Sequence, residues 1–253
     1  MQPANHIPLR LSRFLGIAAG GAVIAALAVP RVAQDPAYHQ FADTRPLLGI
    51  PNSLNVLSNL PFAVVGLAGL VAVARMRNWE RWPYAALFAG VALTSIGSAY
   101  YHLAPDNWTL VWDRLPMTVG FMGLLTAVLA ERVSRRAARA LFAPLLVFGA
   151  ISVIYWYWSE VRSAGDLRLY ALVQFGSLLV ILIALVASPS RDGDDRYFYL
   201  GLGAYLLAKL FEYADVSIYN AGHIVSGHTI KHVMAAVGLW FLVVMLRQRP
   251  STT

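Results

Sequence analysis

Two histidines four residues apart, His228 and His232, stand at the start of a long apolar stretch near the end of the chain. On a helix, positions i and i+4 share one face about a turn apart, so both imidazoles can aim at one point. Ser98 and His102 repeat that spacing at the close of an earlier apolar stretch, and Asp113 follows His102 by 11 residues. Three neutral imidazoles and a water make an open tetrahedral zinc site. A metal so held lowers the pKa of its water toward about 7 and polarises a carbonyl oxygen. Asp113 could then take a proton from that water or orient a ligating histidine, and Ser98 could donate to a developing oxyanion. The chemistry these parts imply is metal-assisted hydrolysis.

Each part taken alone is weak. Six histidines in 253 residues can produce one H-x-x-x-H by chance. A lone histidine at a helix end is more often a hydrogen-bonded interfacial residue than a ligand. A bis-histidine pair also suits haem. Asp113 beside Arg114 reads equally as a helix cap or an ion pair. What joins the parts is the topology of the elements that carry them.

The chain is 58% hydrophobic and 13% charged, and it has no cysteine; a soluble domain usually carries about 25% charge. Without cysteine there is no disulfide framework and no thiolate ligand, so a metal must rest on His, Asp or Glu. Charge-free runs long enough to cross a bilayer, for which roughly 20 residues suffice, recur along the whole length. We read eight spans: 14–30, 53–74, 83–102, 114–130, 140–158, 169–187, 197–214 and 229–246. The fold class is therefore an all-α, polytopic transmembrane bundle. Residues 1–52 form a tail, an extra first helix and an external loop, and 53–253 a seven-helix core. Arg10 and Arg13 before Phe14–Val29 resemble the start of a secretory signal. The stretch lacks an evident cleavage site and reads as a retained helix.

Of the 18 arginines, 13 fall on one side of the spans and 5 on the other. Positive-inside bias then puts both termini in the cytoplasm. It also spreads the basic charge over loops, which argues against nucleic acid as a partner. With that orientation Ser98, His102, Asp113, His228 and His232 all fall at the non-cytoplasmic end of the bundle. The remaining charges inside spans are costly there and so informative. Lys209, Glu212 and Asp215, three apart, read as a self-neutralising set tying the seventh span to its neighbours, or with Asp215 at the mouth of a cavity. Lys231 is expected to pair with Glu212 or Asp215, or to disfavour cationic head groups, and His223 reads as a loop residue. His6 and His39 carry no signal beyond composition.

The pattern S-x-x-x-H, an aspartate 11 residues on, and H-x-x-x-H in the last helix resembles the alkaline ceramidases. These belong to a superfamily of seven-helix intramembrane hydrolases that includes the progestin and adiponectin receptors. Here the residues read SAYYHLAPDNWTLVWD from Ser98 to Asp113 and GHTIKH from Gly227 to His232, and Asn55-Val56-Leu57-Ser58-Asn59 is similar to the first core helix of ceramidases. The resemblance covers about residues 50–246. It implies zinc on His102, His228 and His232, Asp113 assisting the water, Ser98 near the metal, and Tyr170 helping to bind the amide. The implied reaction is hydrolysis of a long-chain N-acyl amide of a membrane lipid to a fatty acid and an amino lipid. The receptor branch implies the alternative of a lipid sensor with a structural zinc. Ceramidases also carry an acidic, tryptophan-containing calcium segment before the first core helix. This chain has only Asp35 and Asp43 there, so calcium is not expected.

Overall fold

The computed structural model describes residues 16, 20, 21, 23, 24, 28–190 and 193–249. The expected first span, 14–30, lies largely outside the described residues, as do Arg10, Arg13 and Arg191 of the orientation count. The described chain is helical, with a short 3-10 turn at Pro36–His39 and no strand. We label the helices α1 (Ser53–Val73), α2 (Arg81–Leu103), α3 (Asn107–Arg132), α4 (Arg135–Val161), α5 (Arg168–Ala187), α6 (Asp195–Tyr213), α7 (Asp215–Gly222) and α8 (Gly227–Gln248).

Among the described residues, five of these (α1, α3, α4, α5 and α8) are long and apolar enough to cross a membrane. α2 and α6 fall short of that measure for a reason that bears on the site. α2 ends in Ser98, Tyr100, Tyr101 and His102, and α6 carries Lys209 and Glu212. Large aliphatic side chains face outward, among them Val64, Leu67, Leu93, Ile96, Ile151, Ile154, Leu206 and Leu210, while Ser53, Asn55, Ser98, His102, Thr126 and His232 are buried. Polar groups inside and hydrocarbon outside is the arrangement a bilayer selects.

Local chemistry sets the helix starts. Asp106 closes a capping box at α3, accepting from Thr109 N–H at 2.6 Å while Thr109 Oγ1 accepts from Asp106 N–H at 3.1 Å. Ser134 and Ser226 cap α4 and α8 in the same single-bond manner. α3 thus begins seven residues before the expected 114, and Asp113 sits inside the helix rather than at its entry. That rules out the reading of Asp113 as a helix cap. The stretch 215–228, expected between the last two spans, contains α7, which His223 ends in the left-handed conformation (φ 52°).

Successive helices α1 to α4 pack as antiparallel neighbours, α5 lies against α3, and α8 sits between α1 and α6. The closest approaches are made by glycine beside residues of interest. A Cβ on Gly97 would lie 2.0 Å from Trp112 O, and one on Gly227 2.1 Å from Phe211 O. Gly97 therefore lets α2 bring Ser98 up to Asp113, and Gly227 seats the start of α8. Because the obstacle at Gly97 is backbone, it can yield only by parting the helices. Gly97→Ala should destabilise the bundle by about 1–3 kcal/mol, an overpacking cost. A lowered thermal melt in detergent micelles checks it.

The segment 31–52 folds over one end of the bundle. Phe41 is buried against Tyr101, and His39 bridges Tyr101 Oη and Asn107 Oδ1, both at 3.0 Å. Asp35 caps the 3-10 turn. Asp43 is paired with Arg45 through both oxygens, which holds its carboxyl below the usual range. In the loop before α5, Arg168 holds Asp166 down at about 2. A lowered carboxylate stabilises the fold above its ordinary pKa and stops doing so only as pH falls through the lowered one. Both ties therefore persist across the neutral range.

Candidate metal centre

The three histidines predicted as ligands converge. His102 closes α2, while His228 and His232 occupy successive turns at the start of α8. All are buried, with one nitrogen of each within 4.8 Å of the others. Ring centroids lie 4.8 Å apart for His102–His228, 4.9 Å for His228–His232 and 5.0 Å for His102–His232. Nε2 of His102 and Nε2 of His228 face each other at 3.3 Å. Three rings crowded this closely leave no plane for a porphyrin between any two, so the haem reading fails on geometry.

Hydrogen bonding selects the tautomer of one ligand. Ser58 Oγ lies 2.7 Å from His232 Nδ1 and donates its own proton to Asn55 O at 3.0 Å. Having one proton, the hydroxyl must accept from Nδ1–H. The lone pair of His232 is thereby placed on Nε2. His102 Nδ1 is buried with no partner among the described residues. Clustered neutral imidazoles with their lone pairs directed inward form a donor set for a cation. The three residues can hold a metal ion.

The surroundings are built by partners scattered along the sequence. Asn52 Nδ2 donates to His102 O at 2.8 Å, and Thr229 Oγ1 donates to Asn55 Oδ1 at 2.9 Å. Phe41 lies over His102 and His228 with centroids at 4.7 and 4.5 Å, closing that side to water. Asp215 does not join Lys209 and Glu212. Its carboxylate accepts from His228 N–H at 2.7 Å and Ala42 N–H at 3.0 Å, anchoring the external segment to the first turn of α8. The helix breaks at Ala214, which turns Asp215 away from the preceding face. Glu212 instead pairs with both Lys209 and Lys231, the latter at 2.5 Å.

A cavity of about 270 Å³ opens beside His232, and Ser98, Asp113 and Tyr170 lie on its wall with Arg114, Lys209, Glu212 and Lys231. Ser98 and Asp113 share that wall, where Gly97 brings α2 against Trp112 and Asp113. Tyr170, in the first turn of α5, is buried with its ring 4.5 Å from the Arg114 guanidinium. A second, apolar space of about 150 Å³ continues from the first. They share Phe62, Thr94, Met117, Tyr205 and Ala235. Every candidate read from the sequence thus borders one site. Sequence reasoning missed Phe41, Gln34, Tyr38 and Arg114, which reach it through long-range packing. Ser58 carried a signal only as part of the Asn55–Asn59 motif.

The family model described as ceramidase matches residues 50–251. That span takes in all seven long helices and all three histidines, and the chain belongs to this family. No curated protein matches it.

Proposed function

We propose that this member of the ceramidase family, a hydrolase of amide bonds, is a zinc-dependent intramembrane enzyme. It would cleave a ceramide or similar N-acyl lipid to a fatty acid and an amino lipid. α1 to α6 and α8 form the seven spans of a cell-membrane protein. Both termini are cytoplasmic and the site faces the other side. The observation that carries the reading is the convergence of three buried imidazoles on a cavity that also presents Asp113 and Ser98. Its all-nitrogen, three-residue donor set suits zinc with a position left open. A bound zinc supplies Lewis acidity to the amide carbonyl and acidity to a water.

The chain's own groups do the rest. The acyl chain runs into the apolar space lined by Leu87, Val91, Leu124 and Leu239, which sets the carbonyl at the histidine wall. Asp113 takes the proton from the attacking water and returns it to the amide nitrogen as the C–N bond breaks. Ser98, on the same wall as that carboxylate, fixes its direction or donates to the carbonyl oxygen as charge builds there. Tyr170 presents its hydroxyl to the amide. An accessible cavity beside the histidines favours turnover over a purely structural metal.

Chelation tests the reading directly. Purified protein should contain about one zinc per chain and release fatty acid from ceramide or a similar N-acyl lipid. Removing the metal should abolish release, and adding zinc back should restore it. Turnover that survives complete removal of the metal would refute the proposal.

A further inference from the structure

We propose that the amide cleaved at this site carries an anionic group, a carboxylate, on its amine half, and that Arg114 is the residue that reads it. The inference rests on the amidase reading and specifies its substrate class.

Arg114 follows Asp113 on α3 and is 4% exposed. Its guanidinium carbon lies 4.1, 4.5 and 5.6 Å from the ring centroids of Trp156, Tyr170 and Tyr38. One nitrogen, Nη2, donates to Gln34 Oε1 at 2.7 Å. Arg114 lines the cavity, its Nη1 is buried without a hydrogen-bond partner, and among the described residues no carboxylate pairs with the group within 4.0 Å. The other buried and half-buried cations are matched: Arg132 by Asp195, Arg168 by Asp166, Lys231 by Glu212, and Arg249 by Glu131 and Asp194.

An unpaired buried charge is expensive, and the aromatic faces offset only part of that cost. The charges on the cavity wall are Arg114, Lys209 and Lys231 against Asp113 and Glu212. Arg114 and Asp113 balance in number while both lysines share Glu212, so the wall as a whole carries one positive charge in excess before any metal is counted. The planar fork of arginine suits a carboxylate in particular.

Position assigns that charge to the head group. Gln34 and Tyr38, beside Arg114, come from the external segment, whereas the apolar space leads away toward Leu239 and Leu242. An acyl chain threaded into the apolar space puts the amine half at Arg114. Water's oxygen bonds to the acyl carbon, the C–N bond breaks, and the nitrogen leaves protonated. The products are a fatty acid and an amino acid. A sphingoid amine, with hydroxyls only, would leave the arginine charge unanswered.

The test compares N-palmitoylglycine, N-palmitoylglycinamide and a palmitoyl ceramide as substrates of the zinc-loaded protein. The first two differ only in the charge at issue. We expect kcat/KM for the glycine conjugate to exceed that for its amide by about tenfold or more, as for a charge-assisted bond in a dry site. Arg114→Gln should shrink that ratio to within about threefold while zinc content is kept. Equal rates for the glycine pair would overturn the inference. So would an Arg114→Gln protein that loses both substrates alike, since Arg114 would then serve the reaction itself. Cleavage of ceramide without cleavage of palmitoylglycine overturns this inference and leaves the amidase reading standing. Cleavage of none of the three overturns that reading and this one together. Should Arg114→Gln not fold, the wild-type comparison decides alone.

Discussion

Asp113→Asn is expected to lower kcat by about 10³-fold, within the range that a positioned acid–base group contributes, and to leave the metal in place. The carboxylate is no part of the imidazole cluster. It sits on the cavity wall with Ser98. Asparagine preserves its shape, so packing changes little. What it cannot do is accept a proton from water and hand it to the departing nitrogen. Zinc content should therefore stay near one per chain while fatty-acid release collapses, with KM little changed. Turnover within tenfold of wild type would remove Asp113 from the proton path. Parallel loss of zinc and activity would make it a support for the histidines instead. A protein that used its metal only structurally would show no turnover to lose.

The site was more legible than its supports. His228 and His232 share a helix face by spacing alone, and alternation of spans brings His102 and Asp113 to the same end. Neither inference needs knowledge of which helices touch. The start of α3 was misread because Asn107–Asp113 is mixed in polarity, so the apolar pattern begins late. Its capping box also uses Thr109 where a glutamate or glutamine is the usual mark. Asp215 was misread because three-residue spacing assumes an unbroken helix, and the helix breaks at Ala214. Phe41, Gln34 and His39 lie in a segment without periodicity, and their roles arise from partners 60 to 190 positions away. Arg114 was seen only as the neighbour of Asp113. Nothing in the sequence announces that a buried arginine lacks a carboxylate.

His232→Ala should remove both the metal and the activity, and a graded series shows why the loss must be joint. Of the three imidazoles, His232 is the one that also lines the cavity. Its protonation is set from outside by Ser58, whose hydroxyl accepts from Nδ1 and so keeps the Nε2 lone pair available. Truncating the ring takes away one of three donors. Zinc should fall to background on dialysis, and turnover should drop by at least the 10³ expected for Asp113→Asn. Ser58→Ala keeps all three rings but frees His232 to rotate and to change tautomer. Loss of such an orienting partner typically costs about 10- to 100-fold in metal affinity. Ser58→Ala should therefore recover activity as zinc is raised, whereas His232→Ala should not. Stoichiometric zinc retained after replacement of His102, His228 and His232 together would place the metal elsewhere. The cluster would then be a packed polar core, and the hydrolase would need another centre.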